Sequence, residues 1–366
     1  MIIKTRLSSA EIREKINVLR GRAAGVIYGF RGAGEFNRVW YDQWGSAVIS
    51  SYGHALEDLG LQPFFCDVET FGKLAFNGSL PDLVCTFNLN AGITPISHWN
   101  VVPAVSQWFD IPALPASADV LTVCERKDTA SLIAAASNLK IAKTFTIEEV
   151  EALPIDFPLI VKPRDLGGSV GIQKIPALDI QSHKARISPS SVIQEFIEGF
   201  DLTVPIVWQP STNEYRCPAG VLYIPEDQFN QNWWHDQNSK SSGKGYTKQI
   251  LPIPKLVESD IQLFARNCQL GPYARIDFRM IPQQSILSVD DLEAAEFIFI
   301  EVNPLPTLRQ EINFLNVVEN PIFQSNFITD LNAVGAEIGS QVSPHALVLA
   351  CALCSLDEQL TAKHDE

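Results

Sequence analysis

The chain has no run of about 18 uninterrupted apolar residues, roughly what a membrane-spanning helix needs. Its longest apolar stretch, ALVLACALC at 346–354, predicts a buried helix instead. The opening residues, MIIKTRLSSAEIREK, reach charge too early for a secretory leader. A soluble cytoplasmic protein with no membrane partner is therefore the expectation. Basic residues are in short supply, 28 Lys and Arg against 42 Asp and Glu, giving a formal charge of −14. That shortfall excludes a nonspecific nucleic-acid coat, which needs an excess of positive charge against phosphate. It does not exclude a small anionic ligand, which asks only for local cations. Paired cysteines are also lacking. The seven, at positions 66, 85, 124, 217, 268, 351 and 354, are odd in number and scattered, so they offer no disulfide framework. Only Cys351 and Cys354 have CxxC spacing. They sit late in a helix-like apolar segment without a second pair, where packing is the expected role, not redox or zinc chemistry. No fixed-period repeat and no long low-complexity tract interrupts the chain.

What is present is enough apolar material for real cores, 46% of 366 residues, and length for two or three domains. SSAEIREKINVLRG predicts a short helix with Ser9 as a candidate cap, and AAGVIYGF at 23–30 a buried strand entering a glycine-containing turn. SAVISSYGHALEDLG reads as helix, and LQPFFCDV and DLVCTFNL as strands. This alternation predicts an α/β domain over residues 1–120. Residues 121–202 read as a small α+β module: helix DTASLIAAASNL, strand FPLIVKPR, a glycine-rich turn, and two strand runs around Glu198–Gly199. Residues 203–366 form the third part. It holds a polar and aromatic insertion at 229–249, predicted to be a mobile loop or lid, then a helix near 257–269 and the strands GPYARIDFRM and EFIFIEVNPLP.

Three segments carry chemistry. In LIVKPRDLGGSVGIQK a strand presents Lys162 and breaks into Gly167, Gly168, Ser169 and Gly171. Small residues let backbone N–H groups converge on phosphate oxygens, beside one compact ammonium charge. The order is not that of a P-loop, and taken alone the segment reads more readily as an ordinary tight turn. In YARIDF, Arg275 and Asp277 share one strand face; in FIEVNPLP, Glu301 and Asn303 do the same. Carboxylate and amide oxygens of that kind suit Mg²⁺ together with a phosphate ligand, while an Arg–Asp salt bridge on a solvated strand is the plainer alternative. In VIQEFIEGFDL, Gln194 and Glu195 end a strand that can meet an adenine edge, and Glu198 or Asp201 can accept from ribose hydroxyls.

This order of lysine and glycine loop, acidic strand and two metal-like strands resembles the ATP-grasp superfamily, in its D-alanine–D-alanine ligase branch, most closely over 120–310. The resemblance implies a three-domain α/β and α+β fold, an N-terminal preATP-grasp domain followed by central and C-terminal subdomains that hold ATP between them. It implies that Lys127 and Lys162 contact ATP phosphates with Gly167, Gly168 and Ser169. Gln194 then faces the adenine amine, Glu195 and Ile197 hold the adenine edge through their backbone, and Asp201 lies near the ribose. Asp277, Glu301 and Asn303 resemble the ligands of two Mg²⁺ ions. Arg275 resembles the cation that steadies the tetrahedral intermediate, with Lys162 and Ser169 completing the catalytic set. Glu35 resembles the glutamate that binds the first substrate's ammonium group. A homodimer is common among similar enzymes.

The departures matter as much. GGSVG stands where the family has GSSVG, so Gly168 breaks the usual serine–tyrosine–glutamate link. Thr307 replaces a glycine near the oxyanion hole. FNLNAG at 87–92 replaces HGxxGEDG, and in the loop either Lys240 or Lys244 is left to supply the cation. The changes fall on the amino-acid side, which implies an ATP-dependent, ADP-forming carboxylate–amine ligase joining small carboxylate and amine substrates, amino acids by the resemblance, through an acyl phosphate. D-alanine–D-alanine ligase proper, a non-catalytic ATP-binding regulator and a thioester-forming ligase are the competing readings. Trp233 and Trp234 are candidates to close over a bulky apolar substrate, and His235 to touch it.

Overall fold

In a computed structural model the described residues are 5–29, 45–91, 98–152, 154–167, 169–183, 187–227, 230, 232–234, 236, 244–282, 289–308, 317 and 343–356. The turn after residue 29, with Glu35, and part of the polar insertion, with His235 and Lys240, lie outside them, as does Gly168.

Helix α1 (Ser9–Val18) starts where its backbone donors are satisfied, but by Ser8 and not Ser9. The Ser8 hydroxyl accepts from the Glu11 N–H, and the Glu11 carboxylate accepts from the Ser8 N–H, a reciprocal capping box. Strand β1 (Ala23–Tyr28), helix α2 (Ser46–Asp58), strand β2 (Gln62–Asp67), helix α3 (Val68–Phe76), strand β3 (Leu83–Leu89), helix α4 (Val101–Trp108) and the short β4 (Ala113–Leu114) follow. The strands form a parallel sheet in the order β2-β1-β3-β4. β1 and β3 are buried almost throughout, as expected where helices cover both faces of a parallel sheet.

Helices α5 (Ala118–Glu125) and α6 (Lys127–Ala136) lead to β5 (Lys140–Ile141), β6 (Thr144–Phe145), helix α7 (Ile147–Ala152), β7 (Leu159–Pro163), β8 (Gln173–Ile175), the single turn α8 (Ile180–His183) and β9 (Ser191–Glu195). A four-stranded antiparallel sheet, β6-β9-β7-β8, packs one face on its own satellite core of Phe145, Val150, Leu159, Val161, Ile175, Ile180 and Ile193. The alternate residues Lys162, Ile160 and Gln194 are left to the other face.

The remaining strands are β10 (Phe200–Gln209), β11 (Glu214–Arg216), β12 (Ala219–Pro225), β13 (Tyr246–Pro252), β14 (Tyr273–Ile281) and β15 (Glu296–Asn303). Helices α9 (Lys255–Asn267), α10 (Val289–Ala294) and α11 (Pro344–Cys354) complete the described elements. The large sheet runs β13-β12-β10-β14-β15-β5, with β11 paired to β10. Residues 246–249, which the sequence reading includes in the loop, form the start of β13.

The main core is continuous from the N-terminal helices through this sheet to α11, which is buried along its whole length, Cys351 and Cys354 included. All seven thiols are free and buried, as the packing reading expects. Among the described residues, no helix is long and apolar enough to cross a membrane.

Candidate active site

Strand β14 sets the geometry. Ile276, Phe278 and Met280 turn into the core, so Arg275, Asp277 and Arg279 turn to the other face, the period-2 consequence of a strand buried on one side. Register does the rest. Asp277 pairs with Thr203 on β10 and Glu301 on β15; Arg275 pairs with Asn303; Arg279 pairs with Asp201. These side chains face the polar side of the four-stranded sheet across a cavity of about 600 Å³. Its lining includes Lys162, Gly167, Ser169, Gln194, Glu195, Ile197, Asp201, Arg275, Asp277, Glu301, Asn303 and Thr307. A cavity of about 710 Å³ beside Trp208, Tyr215 and Arg266 contains none of the sequence-predicted residues.

Lys127 stands at the cavity's edge. It is buried, donates to the Leu166 carbonyl at 2.5 Å and lies 3.7 Å from the Glu301 carboxylate, tying the glycine loop to β15. Lys162 is 2% exposed, and burial pushes its ammonium down to about 8 despite the opposing charge of Glu301. The loop turns tightly: Ser169 has φ +62, and at Gly171, φ +69, a Cβ would lie 2.9 Å from the Pro163 ring.

Asp277 is fully hydrogen-bonded. One oxygen accepts from Thr203 Oγ1 at 2.9 Å and Arg275 Nε at 3.0 Å. The other accepts from Arg275 Nη2 at 2.8 Å and Asn303 Nδ2 at 3.0 Å. The Arg–Asp pair considered as the plainer alternative is thus present, within the cavity and not on a solvated face. Two carboxylates and one amide oxygen form a hard donor set that suits Mg²⁺, although a cation reaching Asp277 must displace one of these donors. No cluster of three His, Cys, Asp or Glu occurs among the described residues.

Another part of the cavity lining carries the buried Gln194, whose carbonyl oxygen has no hydrogen-bond partner among the described residues. Beside it the segment from Glu195 to Asp201 is held by Arg279, which the sequence reading missed. Its guanidinium donates to the carbonyls of Ile197 at 3.0 Å and Gly199 at 2.7 Å, to Asp201 Oδ1 at 2.8 Å and to the Trp233 carbonyl at 3.1 Å. The alternation Arg275-Asp277-Arg279 is the signal that locates it.

Trp234 packs edge-on against Phe196, Trp233 lies against Tyr246, and Lys174 reaches Asn232 at 2.8 Å. These contacts join the tryptophan pair to the Gln194–Asp201 segment and β13, and Trp234 lines the cavity. Lys244 is exposed and outside the cavity lining, whereas Lys248, on β13 opposite Tyr223, lines it. In the FNLNAG segment, Asn88 and Asn90 are buried and hold the carbonyls of Trp99 and His98 at 2.7 and 3.0 Å. That anchors Trp99 in the cavity wall.

No protein-family model matches the chain. The D-alanine–D-alanine ligase of Mannheimia succiniciproducens is 28% identical over 131 residues, 34% of this chain and 39% of that protein. The Rickettsia canadensis enzyme of the same name is 22% identical over 206 residues, 52% of this chain and 54% of that protein. In both, the match spans less than two thirds of the relative's length. Among solved structures, a Bacillus anthracis D-alanine–D-alanine ligase complexed with ATP aligns with a TM-score of 0.57 at 15% identity, covering 87% of this chain and 99% of that one. The Vibrio cholerae D-alanyl-alanine synthetase A aligns at 0.60 and 14% identity, covering 88% and 99%. The chain resembles these ligases in sequence and shares their ATP-grasp fold.

Proposed function

We propose that the protein is an ATP-dependent carboxylate–amine ligase joining amino-acid-type substrates and releasing ADP and phosphate, built as modules 1–120, 121–202 and 203–366. One observation carries the reading: three separated segments bring Lys162, Gln194 and the Arg275, Asp277, Glu301, Asn303 group onto one cavity. Gln194 offers a buried acceptor for a base amine, and Lys127, Lys162 and the loop at 167–171 offer charge and backbone donors for phosphates. Asp277, Glu301 and Asn303 would hold Mg²⁺, which would supply positive charge to offset that on the transferring phosphoryl group. Arg275, once released from Asp277, steadies the oxyanion that forms when an amine attacks the activated carboxylate. Ser169 and Thr307 border the same space. Water must be kept from such an activated carboxylate, and the segment around Trp233 and Trp234 is the cover. A protein consuming ATP and amino acids belongs in the cytoplasm.

The test is ADP release over a matrix of L- and D-amino acids offered as both acid and amine, with product mass measured. D277N and E301A should each lose at least about a hundredfold in turnover; full activity in both would sink the metal assignment. The saturated hydrogen bonding of Asp277 favours a second reading, a protein that binds nucleotide without turning it over. That reading is supported if ATP binds and no pair in the matrix yields ADP.

A further inference from the structure

Thr144 on β6, Gln194 on β9 and Ile160 on β7 stand side by side in register, on the sheet face opposite the one Ile193 turns to its core. The Thr144 hydroxyl lies 3.3 Å from the Ala142 carbonyl, an acceptor only, and 3.2 Å from Gln194 Nε2. A hydroxyl has one proton. With that proton given to Ala142, the oxygen offers Gln194 lone pairs alone. The amide must then turn its NH₂ to Thr144 and its carbonyl the other way. This relay fixes an orientation that an isolated amide leaves open. It also accounts for the Oε1 that has no partner among the described residues: a buried carbonyl without a donor is rare in native folds, and a ligand in the cavity can supply one.

We infer that Thr144 is a specificity-determining residue, which makes Gln194 a pure acceptor and so selects a purine bearing a 6-amino group over a 6-oxo purine. The inference rests on the nucleotide reading above and adds the source of base choice to it. A 6-amino group donates to Oε1. A 6-oxo group meets that oxygen with another acceptor, and Gln194 cannot invert without turning its carbonyl towards the Thr144 lone pairs. Glutamate at 194 needs no such relay, because a carboxylate only accepts.

The probes are ATP and ITP, which differ in the 6-amino or 6-oxo group and in the proton that the 6-oxo base carries on N1, a difference common to every variant; each is titrated calorimetrically with Mg²⁺. The wild-type protein should prefer ATP. T144V, which removes the hydroxyl at nearly constant volume, should reduce the ATP:ITP affinity ratio about tenfold, since an inverted amide then donates to the 6-oxo group. T144S should keep the preference, and the double variant T144V/Q194E should restore it. Because each ratio is taken on a single preparation, partial misfolding cancels. An unchanged ratio in T144V, or no restoration by Q194E, overturns the relay while leaving the ligase reading intact. Failure of the wild type to bind either nucleotide overturns both.

Discussion

Lys162→Met separates what the cavity does from what it costs. The ammonium is 2% exposed and titrates at about 8 instead of 10.5, so the fold bears a charge it disfavours. That gap corresponds to about 3 kcal/mol, at about 1.4 kcal/mol for each tenfold change in proton affinity. Below about pH 8 the lysine is charged in both folded and unfolded chains, and the whole cost is present. Between about 8 and 10.5 the folded chain has released the proton while the unfolded chain retains it, so stability rises with pH. Above that range the cost is gone. Methionine fills a similar volume without charge, and Glu301 keeps Lys127 at 3.7 Å, so no carboxylate is stranded. The variant should therefore be more stable than wild type at pH 7 by up to about 3 kcal/mol. The difference should shrink towards zero by pH 10.5, and ATP binding should be lost. Urea unfolding followed by tryptophan fluorescence at pH 7, 9 and 10.5, with ATP calorimetry at pH 7, checks all three. A variant less stable than wild type at pH 7, or a difference independent of pH, refutes the reasoning.

Gly199 has φ +147, and a Cβ there would sit 2.3 Å from the Met280 carbonyl oxygen; Gly199→Ala should cost at least about 1–3 kcal/mol in a urea melt and weaken ATP binding. Arg279→Met removes four hydrogen bonds that join the Ile197–Asp201 segment to Trp233, so the KM for ATP should rise about tenfold while kcat changes less; steady-state kinetics separates the two. Burial holds Cys354 at about 12 and raises Cys85 as well, and all seven thiols are buried; an aromatic disulfide reagent at pH 8 should titrate none in the native protein and all seven in urea.

The elements with one strong period or one uniform character were legible in sequence. α2, β14, β15 and the apolar helix α11 need only local pattern, and the alternation in YARIDFRM and FIEVN puts Arg275 with Asp277 and Glu301 with Asn303 on one face of each strand, while the register between the strands comes from the fold. What escaped was decided by distant partners. Arg279 looks like one more strand polar residue until Gly199 and Asp201 arrive from another part of the chain. Thr144 acquires its meaning only by register with Gln194, fifty positions away. Trp233 and Trp234, an aromatic pair in a polar run, carry no address in the sequence; Phe196 and Tyr246 supply it. Ser8 was passed over for Ser9 because two adjacent serines are equivalent caps until the Glu11 carboxylate reaches back to one of them.

α11 lies far along the chain from α1 and α2, yet it packs on both and on β10. Ser343 Oγ donates to Asp58 at 2.9 Å and Lys15 Nζ to the Leu356 carbonyl at 2.8 Å. Order of synthesis and order of assembly therefore differ. A nascent chain that has already made its first sheet must leave an apolar groove beside α2 open until residues 344–356 emerge from the ribosome. A fragment ending before them should need a chaperone, and the missing helix supplied in trans should rescue it.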